Sequence, residues 1–238
     1  MQIGHSALLC VLAVMFFTRG IDDAQAASGA YAVDDVEVGA PGSCKVESWL
    51  SSASNIDFVA SSVPACVFNF GRPVEISTQF QRFRSDGDWG AGLTVKGKTN
   101  IVPIEPGKIG LGFEAGASLD LISRNLNGVF AFVPVTLQLH ENFRINLNGG
   151  WLWDPSTTQH FATWGAGFEW NFVKPLTLIG EVFGLGGAGN SNPRAQLGLR
   201  YTPIEAFDID LIYGRNITGE NANWVTVGLN VRFETGKK

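Results

Sequence analysis

From Val225 to Phe233 every second residue is apolar: Val225, Val227, Leu229, Val231 and Phe233 alternate with Trp224, Thr226, Gly228, Asn230 and Arg232. Side chains on a β-strand point alternately to opposite faces, so this comb describes a strand with one apolar and one polar face. The pattern recurs upstream. Ile109, Leu111, Phe113, Ala115, Ala117, Leu119 and Leu121 alternate with Lys108, Gly110, Gly112, Glu114, Gly116, Ser118 and Asp120. Ala195, Leu197, Leu199 and Tyr201 alternate with Gln196, Gly198 and Arg200, and Phe207, Ile209, Leu211 and Tyr213 with Asp208 and Asp210. The apolar rows are large and carry no charge at mid-strand, while the other rows are small, glycine-rich and ionic. A barrel with lipid outside and water inside requires that distribution, since a charge facing the bilayer midplane costs roughly 2–4 kcal/mol.

The pattern predicts an all-β fold, a transmembrane antiparallel β-barrel of about twelve strands within a range of roughly 10–14. The strands are expected near 44–51, 55–65, 72–84, 88–100, 107–121, 127–139, 143–153, 161–172, 176–186, 194–203, 206–215 and 222–233, with ends good to about 2–4 residues. The connections alternate in kind. Val102–Gly107, His140–Asn142, Val173–Pro175 and Pro203–Glu205 form one set. Ser85–Gly87, Ser123–Gly128, Asp154–His160, Gly187–Pro193 and Asn216–Asn221 form a second, richer in Gly, Asn, Ser and Thr. With an even strand number both termini fall on the periplasmic side, which places the first set there and the second outside. Aromatic residues on the apolar face sort by height: Trp89, Trp151, Trp153, Trp164 and Tyr213 near the second set, Phe143, Phe172, Tyr201, Phe207 and Phe233 near the first. Two aromatic belts match two lipid–water interfaces.

Composition narrows the class. Only 16% of residues are charged, against about a quarter in soluble domains. No apolar run after the N-terminus reaches the 18 or so residues a membrane-spanning helix needs. Residues 1–26 read as a cleaved signal peptide, with an apolar stretch Ala7–Phe17 and the small-x-small site Ala24-Gln25-Ala26. Residues 27–43 read as a small-residue lead-in, 44–233 as the barrel and 234–238 as a tail. Lys+Arg number 17 and Asp+Glu 22. Cleavage would remove Arg19, Asp22 and Asp23, leaving 16 against 20. Without a basic surplus, nucleic acid is excluded as a partner. Cys44 and Cys66 remain, an even pair at one end of the first hairpin that a disulfide could join.

The inward rows hold the only aligned charges: Glu75, Lys96, Lys98, Glu114, Asp120, Arg144, Glu169, Glu181, Arg200, Asp208, Asp210 and Arg232. Folding each strand back about its turn sets Glu75 opposite Lys98, Lys96 opposite Glu114, and Arg200 between Glu181 and Asp208. Such a lumen filters solutes, or its ion pairs brace the wall. Inward glycines at 110, 112, 116, 165, 167 and 198 would leave space between them. Phe130 and Phe132 face inward beside Pro134, as a constriction or as packing, and Pro134 suggests a bulge. Arg82 and Arg84 stand on the outer face, within reach of lipid phosphates. No spacing fits a metal and no cofactor motif is present. His160 with Ser156 or Thr157 is the one conceivable catalytic set.

The terminal strand Trp224–Phe233, ending in an aromatic residue, resembles the signal read by the barrel-assembly machinery of Gram-negative outer membranes. FEWNFVKPLTLIGEVFG (168–184) and LGLRYTPIEAFDIDLIYGRNITGENANWVTVGLNVRF (197–233) resemble the transporter-like barrels of the MetA-pathway phenol-degradation family. That resemblance implies a non-enzymatic, porin-like barrel in the outer membrane. It would be surrounded by outer-membrane lipids and pass small solutes, hydrophobic or aromatic ones among them, by passive diffusion. The alternatives are a structural or interaction barrel with a closed lumen and a rim-active lipid hydrolase.

Overall fold

The alternating sequence folds as its period dictates. The computed structural model describes residues 30–186 and 193–235. They form β1 (Ser43–Ala53), β2 (Phe58–Asn69), β3 (Pro73–Ser85), β4 (Asp88–Val102), β5 (Ile109–Asp120), β6 (Leu126–His140), β7 (Phe143–Asp154), β8 (Gln159–Val173), β9 (Leu176–Gly186), β10 (Arg194–Ile204), β11 (Phe207–Asn216) and β12 (Asn223–Glu234). Each strand pairs antiparallel with its neighbour in sequence. β1 and β12 close the barrel through a continuous register from Ser43↔Glu234 to Ala53↔Trp224. Closure removes the sheet edges that hydrocarbon could not satisfy. The expected signal segment, residues 1–26, lies outside the described residues.

Turn chemistry sets the hairpins. Asp86 and Gly87 both take positive φ, 52° and 92°, the conformation a tight two-residue hairpin requires. The first hairpin turns later than its composition suggested, at Ser54–Asp57, so β2 runs four residues further than expected. Asn55 Nδ2 donates to Asp57 Oδ2 at 2.9 Å and the Ala53 amide to the Asp57 carbonyl at 2.8 Å. We call the end carrying Ser43 and Glu234 the terminal rim and the opposite end the far rim.

The barrel is inside-out relative to a soluble protein. Outward Leu211 is 57% exposed, Leu197 52% and Val227 52%, whereas inward Lys98 is 2% and Asp210 1% exposed. Residues 30–42 do not simply lead into the barrel. They enter it from the terminal rim and run through its interior, where Val36 and Asp35 are completely buried. This segment, the strap, joins β1 at Gly42, whose φ of +93° suits a residue without a side chain. The Gly42 amide donates to Val67 O, which fixes the hinge to β2.

Candidate functional site: the lumen and its strap

The inner wall is a lattice of cross-strand ion pairs. Arg144 and Glu169 face each other in register and form a two-pronged bond, Nε–Oε1 and Nη2–Oε2, each 2.8 Å. Asn146 Nδ2 adds a third donor to Glu169 at 2.7 Å. Arg200 grips Asp210 at 2.8 and 3.1 Å, and Asn230 donates to the same carboxylate at 3.2 Å. Arg232 pairs with Asp208, which also accepts from Thr202 at 2.7 Å. Lys98 lies in register with Glu75 on one side and Glu114 on the other. Lys96 reaches Glu114 diagonally at 3.1 Å.

Two expected pairings are corrected. Lys96 is in register with Gly116, not Glu114, because the irregular connection after Asn100 offsets the strands. Arg200 sits opposite Asp210, while Glu181 lies four residues nearer the far rim, opposite Gln196. Asp120 does not join the lattice. It ends β5 at the far rim, where its carboxylate accepts the Ile122 and Ser123 amides at 2.7 Å each. Lys45 and Glu47 belong to the lattice and were missed, since β1 carries the weakest alternation. Lys45 bridges Glu47 at 3.3 Å and Glu75 at 3.2 Å.

The strap is seated on this wall by side chains. The Ala32 and Val33 amides donate to the two oxygens of Glu181 at 3.0 and 3.1 Å, the Asp34 amide to Asn148 Oδ1 at 2.7 Å and the Val36 amide to Thr136 Oγ1 at 3.1 Å. Asp34 meets Lys98 at 2.7 Å and Lys96 at 3.3 Å; Asp35 meets Lys98 and Arg144, each at 3.2 Å; Glu37 meets Arg144 at 3.0 Å. The Tyr31 ring lies 5.3 Å from the Arg200 guanidinium.

The inward glycines, expected to leave space, are the strap's bed. A Cβ at Gly110 would stand 2.6 Å from Val36, at Gly165 2.8 Å from Val33, and at Gly198 2.3 Å from the Tyr31 hydroxyl. Other glycines accept wall residues: Gly116 lies under Phe130, Gly150 under Phe132 and Gly112 under Pro134. Phe130 and Phe132 stack on each other at 5.0 Å and lie against these glycines; the strap is a further segment inside the lumen. Pro134 produces no bulge, because Leu111↔Val135 and Glu114↔Phe132 keep one register across it. Register shifts occur instead towards strand ends, as at Tyr201/Ile204 and Trp170/Val173.

The outer face holds the remaining residues singled out above. Trp89, Trp151, Trp164 and Tyr213 lie exposed towards the far rim, with Trp153 beside them; Phe172, Tyr201 and Phe233 lie exposed near the terminal rim, with Phe143 and Phe207 partly covered. Trp170, which was not singled out, joins the second group and packs on Phe172 at 5.7 Å. Arg82 stacks over Trp89 at 5.1 Å, and Arg84 Nε donates to the Gly87 carbonyl at 3.3 Å. Cys44 and Cys66 face each other in β1 and β2 and form a disulfide. The hydrolase set is not assembled. His160 shares a 3.1 Å hydrogen bond with Trp151 Nε1 and stacks between Trp151 and Trp153, while Ser156 Oγ and Thr157 Oγ1 donate to Asp154 at 2.7 and 2.8 Å.

Beside the strap a cavity of about 630 Å³ runs along β1–β4, β10 and β12. Its lining includes far-rim residues Asn55, Asp57, Asn216 and Glu220, strap residues Ala30–Ala32 and Asp34, and the inward aromatics Trp49, Phe183 and Trp224. Among the described residues the lining of this cavity, the cup, includes far-rim turns and no terminal-rim turn, and the strap forms part of its wall.

A closed twelve-stranded barrel, apolar outside and ionic inside, is the architecture of outer-membrane porin-like channels. KdgM porin in complex with disordered oligogalacturonate matches with a TM-score of 0.64 at 10% identity, over 80% of this chain and 99% of that one. The NanC porin matches at 0.61 and 7% identity, over 78% and 98%. The COG4313 outer membrane channel from Pseudomonas putida F1 matches at 0.58 and 12% identity, over 84% and 98%. These likenesses establish the fold. By sequence, the chain belongs to the family described as uncharacterised conserved protein UCP029691, which matches residues 13–233. Among curated proteins, none matches the chain.

Proposed function

We propose that this barrel is a non-enzymatic channel of the bacterial outer membrane for small polar solutes. One observation carries the reading: ionisable side chains are collected inside a closed wall whose outer face exposes large apolar side chains on every strand. Such a surface would drive aggregation in water and is stable only in hydrocarbon. Inside, the interleaved cations and carboxylates keep an aqueous path wettable and screen neither sign strongly. The reading favours a polar solute because the cup sets ions, amides and hydroxyls among its aromatic faces, rather than the hydrophobic solutes that the phenol-degradation resemblance implied. KdgM, of the same fold, is in complex with oligogalacturonate, a polar solute. Residues 1–26 would serve export, β12 would be read by the assembly machinery, and the far rim would face outward.

Reconstitution in planar lipid bilayers tests this. Discrete conductance steps in potassium chloride are expected, and Lys96→Glu, which alters the charge facing the cup, should move the reversal potential in a salt gradient towards cation selectivity. Bilayers that stay silent with both the full chain and a variant lacking the strap would overturn the reading.

A further inference from the structure

We propose that residues 30–37 are a displaceable plug: an internal ligand of the lumen wall that closes the terminal end of the path and leaves when the channel opens. The inference rests on the channel reading above.

Four observations make the strap a separable part. First, the barrel closes without it, since β1 pairs β12 from Ser43 onward and no strand hydrogen bond is lost when the strap leaves. Second, the backbone of residues 32–36 is held by side chains, Glu181, Asn148 and Thr136, not by a β-ladder. The segment's first backbone–backbone bond to a strand is at Gly42. A ladder would release as one cooperative unit, whereas these side-chain bonds are separate contacts.

Third, the cations that hold the strap also have carboxylates of the wall beside them. Arg144 keeps Glu169, Lys96 keeps Glu114, and Lys98 keeps Glu75 and Glu114 as its cross-strand neighbours. Asp34, Asp35 and Glu37 add negative charge; on their departure Arg144 and Lys96 keep wall carboxylates at ion-pair distance, while Lys98, whose ion pairs at 2.7 and 3.2 Å are with Asp34 and Asp35, keeps Glu75 and Glu114 as its register neighbours. Fourth, the wall is shaped for an occupant. Gly110, Gly165 and Gly198 lie on three different strands, and each lacks the side chain that would collide with Val36, Val33 or Tyr31. A wall required only to enclose water would not need those three absences. The hinge is at hand in Gly39, Pro41 and Gly42, immediately before β1.

The cup then has a role in the closed state. A solute arriving from the far rim meets Tyr31, Ala32 and Asp34 as part of the wall of its site, so binding there and plug position are linked.

The test compares conductance in planar bilayers for three proteins. In one, residues 30–37 are deleted. In the second, Val33→Cys and Gly167→Cys tie the strap down; a Cβ at Gly167 would lie 3.6 Å from that of Val33, within disulfide reach. The third is the unaltered chain. Deletion should give a larger and steadily open conductance. The tied variant should conduct several-fold less than the unaltered chain and recover on reduction, while Val33→Cys alone shows no response to reductant. Equal conductance in the tied, reduced and deleted proteins would overturn the plug and leave the channel reading intact. Silence of a folded deletion variant would instead remove the channel reading. If either variant fails to fold, the other against the unaltered chain still decides.

Discussion

At the scale of residues, two kinds of position bear the fold, and each fails differently. Asp210 is 1% exposed and accepts three donors, two from Arg200 and one from Asn230. Asp210→Ala removes the two-pronged partner of the Arg200 guanidinium deep in the wall, leaving the Asp208 carboxylate 3.9 Å from its Nε. Breaking one side of a buried pair costs about 3–5 kcal/mol, whereas replacing both partners by apolar groups is close to neutral. Urea unfolding in lipid vesicles should therefore show Asp210→Ala strongly destabilised and Arg200→Met/Asp210→Leu much less so. On the other face, Leu211 at the middle of β11 points outward and is 57% exposed. Leu211→Arg is expected to cost roughly 2–4 kcal/mol in vesicles, falling towards about 0–1 for the same change near a rim.

At the scale of elements, the strands were legible in the sequence and their registers were not. β12 or β5 could be read residue by residue because a half-wet strand must alternate and a one-residue slip would put charges into lipid. Pairing partners failed where the strand ends are irregular: the shift at Tyr201/Ile204 and the offset after Asn100 move neighbours by amounts no turn composition announces. β1 and β2 alternate least clearly, since their outward rows contain Ser48, Ser62 and Pro64 in place of large apolar groups. The disulfide lies in this pair. Cys44→Ser/Cys66→Ser removes a cross-link spanning 22 residues, and a loss of about 2–4 kcal/mol is expected, read as a lower urea midpoint with β3–β12 pairing retained.

At the scale of the whole molecule, twelve strands enclose more room than the wall's own side chains fill, and the chain supplies the filling from its N-terminal side. The proposed plug rests on that filling: the wall seats Val33 and Val36 against glycines and carries ionic side chains around them. What the sequence by itself determined is the closed barrel, the outward apolar rows and the inward location of Glu75, Lys98, Arg144, Glu169, Arg200 and Asp210, because period-two alternation is a local property of the chain. Only the tertiary structure decided which charges meet, and that Asp34, Asp35 and Glu37 lie against Lys98, Lys96 and Arg144. Those contacts join residues more than sixty positions apart across the interior of a closed wall, and no local pattern in an eight-residue acidic segment carries that information. The inward glycines were visible in the sequence as gaps; what occupies three of them, the strap, became visible only once the barrel was closed around it.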